Sequence, residues 1–201
     1  MGRPKEHDEA TRATLLEAAE GLLAEGGPDV LSVRRVSDAA GTSTRAVYSL
    51  FGSKDGLLRA LYQSMFRDLR RRVLAVPETR DPVADLVGVG VEAFRAQALA
   101  HPHLFRLAFE WPKRRTTTTD EDRQEAWAAF EALLTRVKRV GPPRGLGDEE
   151  ARRLAVGFHA LCQGLASGEL GGFFANDRDP LGVWRGALAT YVKGLRVRQK
   201  R

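Results

Sequence analysis

Residues 31–58, LSVRRVSDAAGTSTRAVYSLFGSKDGLL, constrain this chain more than any other stretch. Ser32 stands where a helix N-cap is wanted, and Val33, Val36, Ala39 and Ala40 follow at helical spacing, with Arg34, Arg35 and Asp38 off that face. Gly41 can take the left-handed backbone that ends such a helix, and Thr42 or Ser43 can cap the next one at once. In TRAVYSLF, Val47 and Phe51 fall at i and i+4 as inward anchors, with Leu50 beside them. Thr44, Arg45, Tyr48 and Ser49 are left to the outer face. Gly52 and Ser53 repeat the stop-and-cap device before a longer helix from Lys54. Two short helices around a tight glycine turn predict a helix-turn-helix, whose second helix fits a major groove about 12 Å wide.

Charge does not decide the matter. The chain carries a net charge of +6 with a pI near 9.9, a bias toward polyanions that many proteins without nucleic-acid partners share. Residues 1–56, taken as the small domain, hold seven Lys or Arg against nine Asp or Glu. The DNA reading therefore rests on where the cations lie and not on how many there are.

The 201 residues leave room for a second, larger domain, residues 57–201. Ahead of the helix-turn-helix, residues 1–9 read as a polar tail with Arg3 and Lys5 available to a phosphate backbone. From Thr11, the residues Leu15, Ala18, Ala19, Leu22 and Leu23 mark one helical face that Gly26, Gly27 and Pro28 end. The helix from Lys54 runs to about Ala75 and carries Arg67, Arg70, Arg71 and Arg72, which face either DNA or acids of the second domain. Pro77 and Pro82 mark the break. Helices then follow over about 83–100, over HLFRLAFEW, from about Glu121 to Val137, over about 148–167, and over about 181–197. The polar run KRRTTTTDEDRQ reads as a mobile loop with a cap near Thr119 or Asp120.

The wording of residues 31–62, LSVRRVSDAAGTSTRAVYSLFGSKDGLLRALY, closely resembles the DNA-binding segment of TetR-family transcriptional regulators, and the likeness extends over residues 11–62. The features that carry it are an apolar-Ala pair in the second helix, an Ala-Gly-x-Ser turn, an apolar-Tyr-x-x-Phe recognition helix, and a Ser-Lys-acid-x-Leu start to the fourth. Ser37, Arg45 and Leu50 depart from the usual residues at their positions. The resemblance implies an all-α, TetR-like fold of about nine helices: a three-helix DNA-binding domain, then a helical bundle for dimerisation and ligand binding. It makes Tyr48 and Lys54 phosphate contacts; a lysine in the first turn of a helix gains nothing from the dipole, and a DNA phosphate would compensate it. Thr42, Ser43 and Thr44 bring hydroxyls and free N–H groups to the same edge, with Ser49 on the outer face. Arg45 is the first candidate to read a base, through guanine O6 and N7, and Arg34 the second. Ordinary capping for Thr42 and ordinary solvated surface for the charges are the alternatives. The C-terminal part also resembles the subclass with a Trp-x-x-x-His-Gly element, here at His159, Gln163 and Gly164, where the pattern departs in its side chains.

In that larger part Phe94, Phe105, Phe109, Trp111, Trp127, Phe130, Phe158, His159 and Cys162 supply apolar area with few polar handles. They are candidates to line a pocket for a hydrophobic or aromatic small-molecule effector, and equally to fill the core. The last two helices carry more apolar surface than a monomer needs. Leu154, Leu161, Leu165, Trp184, Leu188, Tyr191, Val192 and Leu195 are candidates for a homodimer interface, in which TetR-like proteins form a four-helix bundle. No phosphate-binding glycine loop, nucleophile elbow or metal-ligand spacing occurs, so neither an enzyme, a metal nor a cofactor is expected. One cysteine excludes an internal disulfide, no apolar run approaches the ~20 residues of a membrane helix, and MGRPKEHDEATR lacks the apolar core of a signal peptide. These features predict a cytoplasmic, nucleoid-associated protein whose partners are an operator duplex, an effector and its own copy.

Overall fold

The computed structural model describes residues 5–110, 119–141 and 146–198, and within those spans the side chains of residues 8–194. All of its regular structure is helical: α1 Lys5–Gly26, a 3-10 turn Gly27–Asp29, α2 Val33–Ala39, α3 Thr44–Phe51, α4 Lys54–Ala75, α5 Pro82–Gly88, a π-helical stretch Val89–Arg95, α6 Ala96–Ala100, α7 Pro102–Phe109, α8 Asp120–Arg139, α9 Asp148–Leu170 and α10 Pro180–Arg198. Since α5, the π stretch and α6 form one rod, the described residues make nine helices, the all-α architecture expected. Helix α1 starts at Lys5 and not at Thr11: Asp8 and Glu9 suit the positive end of a helix dipole, so part of the stretch read as a tail prolongs it. Arg3, Trp111 and most of the threonine-rich run lie outside the described residues.

By their contacts the described residues form two compact units, one from Met1–Met65 and His103–Arg123, the other from Phe66–Pro102 and Gln124–Arg201. In the first, Leu15, Ala19, Leu22 and Leu23 of α1 bury against Leu31, Val36 of α2 and Val47, Phe51 of α3. Each leucine withdrawn from water is worth about 1.5–3 kcal/mol, which is how three short helices stay folded that would be marginal alone. The Arg12 guanidinium lies 4.9 Å above the Phe51 ring and closes the other side of it. At the start of α8, Thr119 and Asp122 cap each other's amides, and the buried Asp122 carboxylate also accepts from Gln63 Nε2 at 2.8 Å.

The second unit is built around the rod of residues 82–100. Its buried positions are Asp85, Leu86, Val89, Gly90, Ala93, Phe94, Gln97 and Ala98, two rows at strict four-residue spacing. A helix of 3.6 residues per turn drifts by about 40° for each such step, roughly 120° over twelve residues. Bonding i to i+5 winds the chain more slowly and cancels the drift, so the π stretch sits where those rows meet the core. Ala151, Ala155, Phe158, Cys162 and Ala166 of α9 and Trp184, Leu188 and Val192 of α10 form the opposing stripes. The Glu169 carboxylate ties the three together, accepting from Arg95 Nε at 2.9 Å, Arg95 Nη2 at 2.6 Å and Trp184 Nε1 at 2.8 Å.

Candidate nucleic-acid interface

The two reading helices are set by local chemistry. Ser32 Oγ accepts from Arg35 N at 3.2 Å to start α2, and Ser43 Oγ accepts from Ala46 N at 3.3 Å to start α3. Ser43 and not Thr42 is therefore the cap; Thr42 gives its amide to the Ser37 carbonyl at 2.9 Å. Gly41 has φ +61° and Gly52 φ +73°, the left-handed values that stop each helix within one residue. Ser37, buried in α2, returns its hydroxyl to the Arg34 carbonyl at 2.8 Å, so its departure from the family's usual residue leaves no orphaned polar group. Ser53 caps α4 through Gly56 N at 3.0 Å and presents Lys54 in its first turn.

Val47 and Phe51 point inward as the spacing predicts. The opposite face of α3 carries Thr44, Arg45, Tyr48 and Ser49, all exposed, with Tyr48 at 56 % of its surface. Among the described residues no side chain pairs with Arg45. Arg34 makes only a loose 3.9 Å approach to Asp38. Arg35, by contrast, is spent inside the unit: it pairs with Glu25 and donates to the Val30 carbonyl at 3.2 Å. Arg34, Ser43, Thr44, Arg45, Tyr48 and Ser49 are thus each exposed, and Thr42 and Lys54 are half-buried.

Of the arginines late in α4, Arg67, Arg71 and Arg72 pair with acids, while Arg70 is exposed. Arg67 donates to Glu125 at 3.1 Å, and Arg71 and Arg72 both bind Asp68, Arg72 at 2.6 Å. Burial pushes the Asp68 carboxyl up, but the hydrogen bonds and charges of Arg72 and Arg71 outweigh it and hold the group below its ordinary value.

The pocket candidates fall in both units. The Phe105 and Phe109 rings meet at 5.0 Å, tilted by 53°, in the first unit, while Phe94, Trp127, Phe130, Phe158, His159 and Cys162 belong to the second. Phe158 and Cys162 are completely enclosed, Phe158 by Phe94 at 6.4 Å and Tyr191 at 6.3 Å. Burial lowers the pKa of His159, whose ring lies 5.6 Å from Phe94, and raises that of the Cys162 thiol. Trp127 faces outward: 42 % of it is exposed, Arg152 stacks on it at 5.2 Å and its Nε1 donates to Glu131. It is partly exposed because α8 turns its Ala129, Leu133 row inward instead.

The interface candidates divide as well. Trp184, Leu188 and Val192 are fully buried within their own protomer and present nothing to a second copy. Tyr191 is half-buried and donates to the Leu154 carbonyl at 2.9 Å. Leu154, Leu161 and Leu165 keep part of their surface, and the Leu195 side chain lies outside the described residues. Exposed Val156 and Phe173, the latter at 84 %, were not foreseen. Arg136 was missed too, although its place at the Leu133–Arg136–Val140 spacing of an apolar row was a signal. Among the described residues no group of three or more His, Cys, Asp or Glu could hold a metal, and no helix is long and apolar enough to cross a membrane.

Known proteins resemble this chain over most of its length. The family model described as bacterial regulatory proteins, tetR family, matches residues 15–61, and that of the tetracyclin repressor-like C-terminal domain matches residues 90–191. The HTH-type transcriptional regulator BetI of Burkholderia cenocepacia is 30 % identical over 175 residues, which cover 78 % of this chain and 80 % of that protein. A protein of unknown function from Rhodococcus sp. RHA1 superposes with a TM-score of 0.74 at 25 % identity, over 92 % of this chain and 94 % of its own. A TetR variant from Acinetobacter baumannii, solved in complex with minocycline, does so with a TM-score of 0.62 at 21 % identity, over 92 % and 95 %. A helix-turn-helix with an open reading face, a matching helical C-terminal domain and these relatives together place the chain in the TetR family of DNA-binding transcriptional regulators.

Proposed function

We propose that the protein is a homodimeric repressor that binds a roughly palindromic operator and is released by a hydrophobic small molecule. The observation that carries this reading is the face of α3, where Arg45, Tyr48, Ser49 and Thr44 stand exposed between two serine-capped helix starts. Arg45 reads a guanine edge; Tyr48, Lys54, Thr42, Ser43 and Thr44 clamp phosphates; Arg34 reads or steers at the groove's margin. Two copies present their reading helices one helical turn apart or a multiple of it. The surfaces that support pairing are Leu154, Leu161 and Leu165 of α9, with Val156 beside them. That the Acinetobacter protein was solved in complex with minocycline supports a ligand for the larger unit. An effector acts by preferring a state with another half-site spacing, and can shift the equilibrium only by its difference in affinity for the two states.

A gel shift against the DNA upstream of the protein's own gene tests the operator reading; no site bound above random duplex at moderate salt would count against autoregulation. Arg45→Ala relaxes preference at one operator position at a cost of about 1–3 kcal/mol, whereas Lys54→Ala weakens all sequences alike. Equal effects of both on every sequence would sink these assignments. Enclosure of Phe158 and Cys162 favours a second reading, a regulator without a small-molecule ligand. A thermal-shift screen of hydrophobic compounds separates the two, since a ligand at a hundred times its Kd adds about 2.7 kcal/mol of stability.

A further inference from the structure

Helix α2 carries two charges that its folding does not explain. Arg34 stands in its first turn and Asp38 in its last, with no acid in the first turn and no base in the last. A helix dipole disfavours a cation at the N-terminal end and an anion at the C-terminal end, so each charge sits at the wrong end. Their order is the weaker one too, since an acid four residues before a base stabilises a helix better than the reverse. Arg34 Nε lies 3.9 Å from Asp38 Oδ2, and the two side chains are 88 % and 71 % exposed. Ion pairs so open to water contribute little to stability. The backbone carbonyl of Asp38 serves the turn, accepting from Gly41 N at 3.2 Å, but its carboxylate has no other partner among the described residues. Arg35, at the same end of the helix as Arg34, is held by the unit itself: it pairs with Glu25 and donates to the Val30 carbonyl.

We propose that Asp38 is a positioning residue that makes Arg34 a reader of guanine and withholds it from phosphate. This rests on the operator-binding reading above. The carboxylate faces the Nε side of the guanidinium, which leaves the two Nη groups free to fork onto guanine O6 and N7. An arginine forks onto a phosphate just as well, and a phosphate contact carries no sequence information. Asp38 separates the two partners by charge. It repels a phosphate brought to that guanidinium far more than it repels the uncharged edge of a base. Between the walls of a groove, where water is scarcer, its hold on Nε strengthens and keeps the fork aimed. The same carboxylate weakens attraction to a duplex of any sequence, in keeping with the nine acids against seven bases of residues 1–56. Asp38 thereby lowers affinity and raises selectivity.

The test uses a duplex selected from a random pool by the wild-type protein, together with versions in which each base pair is changed in turn. Arg34→Ala identifies the base pair that Arg34 reads, as the one whose preference is lost. Asp38 is exposed, so Asp38→Asn removes its charge and leaves the packing of α2 intact. For Asp38→Asn, preference at that same base pair falls to within about threefold, and affinity for random duplex rises about fivefold at low salt. Preference at the base pair that depends on Arg45 is unchanged, and Tm is equal to or above that of wild type. An Asp38→Asn protein that discriminates at the Arg34 base pair as wild type does overturns the proposal, and a lowered Tm beside it marks a structural role. Equal loss of preference at every base pair overturns it, as does an affinity for random duplex that fails to rise. Should Arg34→Ala relax no base pair, the proposal falls while the operator reading stands on the pair governed by Arg45. A wild-type protein that selects no duplex at all refutes the operator reading itself, and the proposal with it.

Discussion

Gly90, in the π-helical stretch, lies so close to Leu188 of α10 that a methyl group on residue 90 would fall inside the contact radius of Leu188 Cδ1, and 3.3 Å from Phe158 Cζ. Leu188 and Phe158 are both fully buried, so neither can swing aside. In an exposed helix, glycine to alanine gains about 0.5–1 kcal/mol from the restricted unfolded chain. Overpacking a closed site costs about 1–3 kcal/mol, so the clash wins. Gly90→Ala is expected to destabilise the protein by about 1–2 kcal/mol in urea unfolding at unchanged m; a stabilised variant would show that α10 is free to move away.

The buried rows of the rod imply that Glu92 is the extra residue. It is exposed and lies within the π stretch. Without it, Ala93 and Phe94 fall one position nearer to Val89 and Gly90, and the spacing becomes four, three, four, a mean of about 3.67 that lies close to the ~3.6 residues per turn of a regular helix. Deletion of Glu92 should leave Tm within about 5 °C of wild type, whereas deletion of the exposed Ala160 in α9, which rotates Cys162 and Ala166 by about 100°, should abolish cooperative unfolding. Equal damage from the two deletions would remove this account of the rod.

Asp85 makes stability depend on acid pH. The hydrogen bond from the Thr79 hydroxyl, and against the push of desolvation the Thr79 amide and Arg139, hold its carboxyl below the ordinary aspartate range. A group depressed in the folded state contributes stability that is fully present above its unfolded value of about 3.9 and is lost as pH falls through the folded value. Between pH 5 and pH 8 this contribution is flat. Asp85→Asn should therefore be less stable than wild type at pH 6, with the difference closing below pH 4; denaturation at a series of pH values measures it, and a constant gap down to pH 2 would contradict the assignment.

Cys162 is the single cysteine and is fully enclosed by its unit. Burial raises its thiol pKa, so the reactive thiolate is scarce at neutral pH. The native protein should fail to react with an aromatic disulfide reagent at pH 8 over several minutes, and should release one equivalent when unfolded. Prompt reaction of the folded protein would place an opening beside Phe158.

The reading module was legible because its signals are local. Ser32, Gly41, Ser43, Gly52 and Ser53 act within four residues of themselves, so a cap or a left-handed turn is visible in the string. What lay further off was not. Apolar residues on α10 can serve the protomer's core or a second copy, and periodicity says nothing of which; Trp184, Leu188 and Val192 went to the core because Gly90 lets α10 approach the rod. Trp127 is an aromatic at helical spacing, yet it faces water under Arg152. Arg136 reads as a flaw in an apolar row until the carbonyls of Val73, Leu74 and Val76 are seen at its tip.

By itself, then, the amino-acid sequence determined the helix boundaries within a few residues except at the start of α1, the two short reading helices, and the family whose wording residues 11–62 share. Propensity, capping and helical periodicity act over one or two turns and need no other part of the chain. Only the tertiary structure decided which apolar faces are spent inside the protomer, which arginines are neutralised, and what holds the end of α4. Each of those depends on groups tens of residues apart, whose meeting is settled by packing and by the need to give every buried charge and carbonyl a partner.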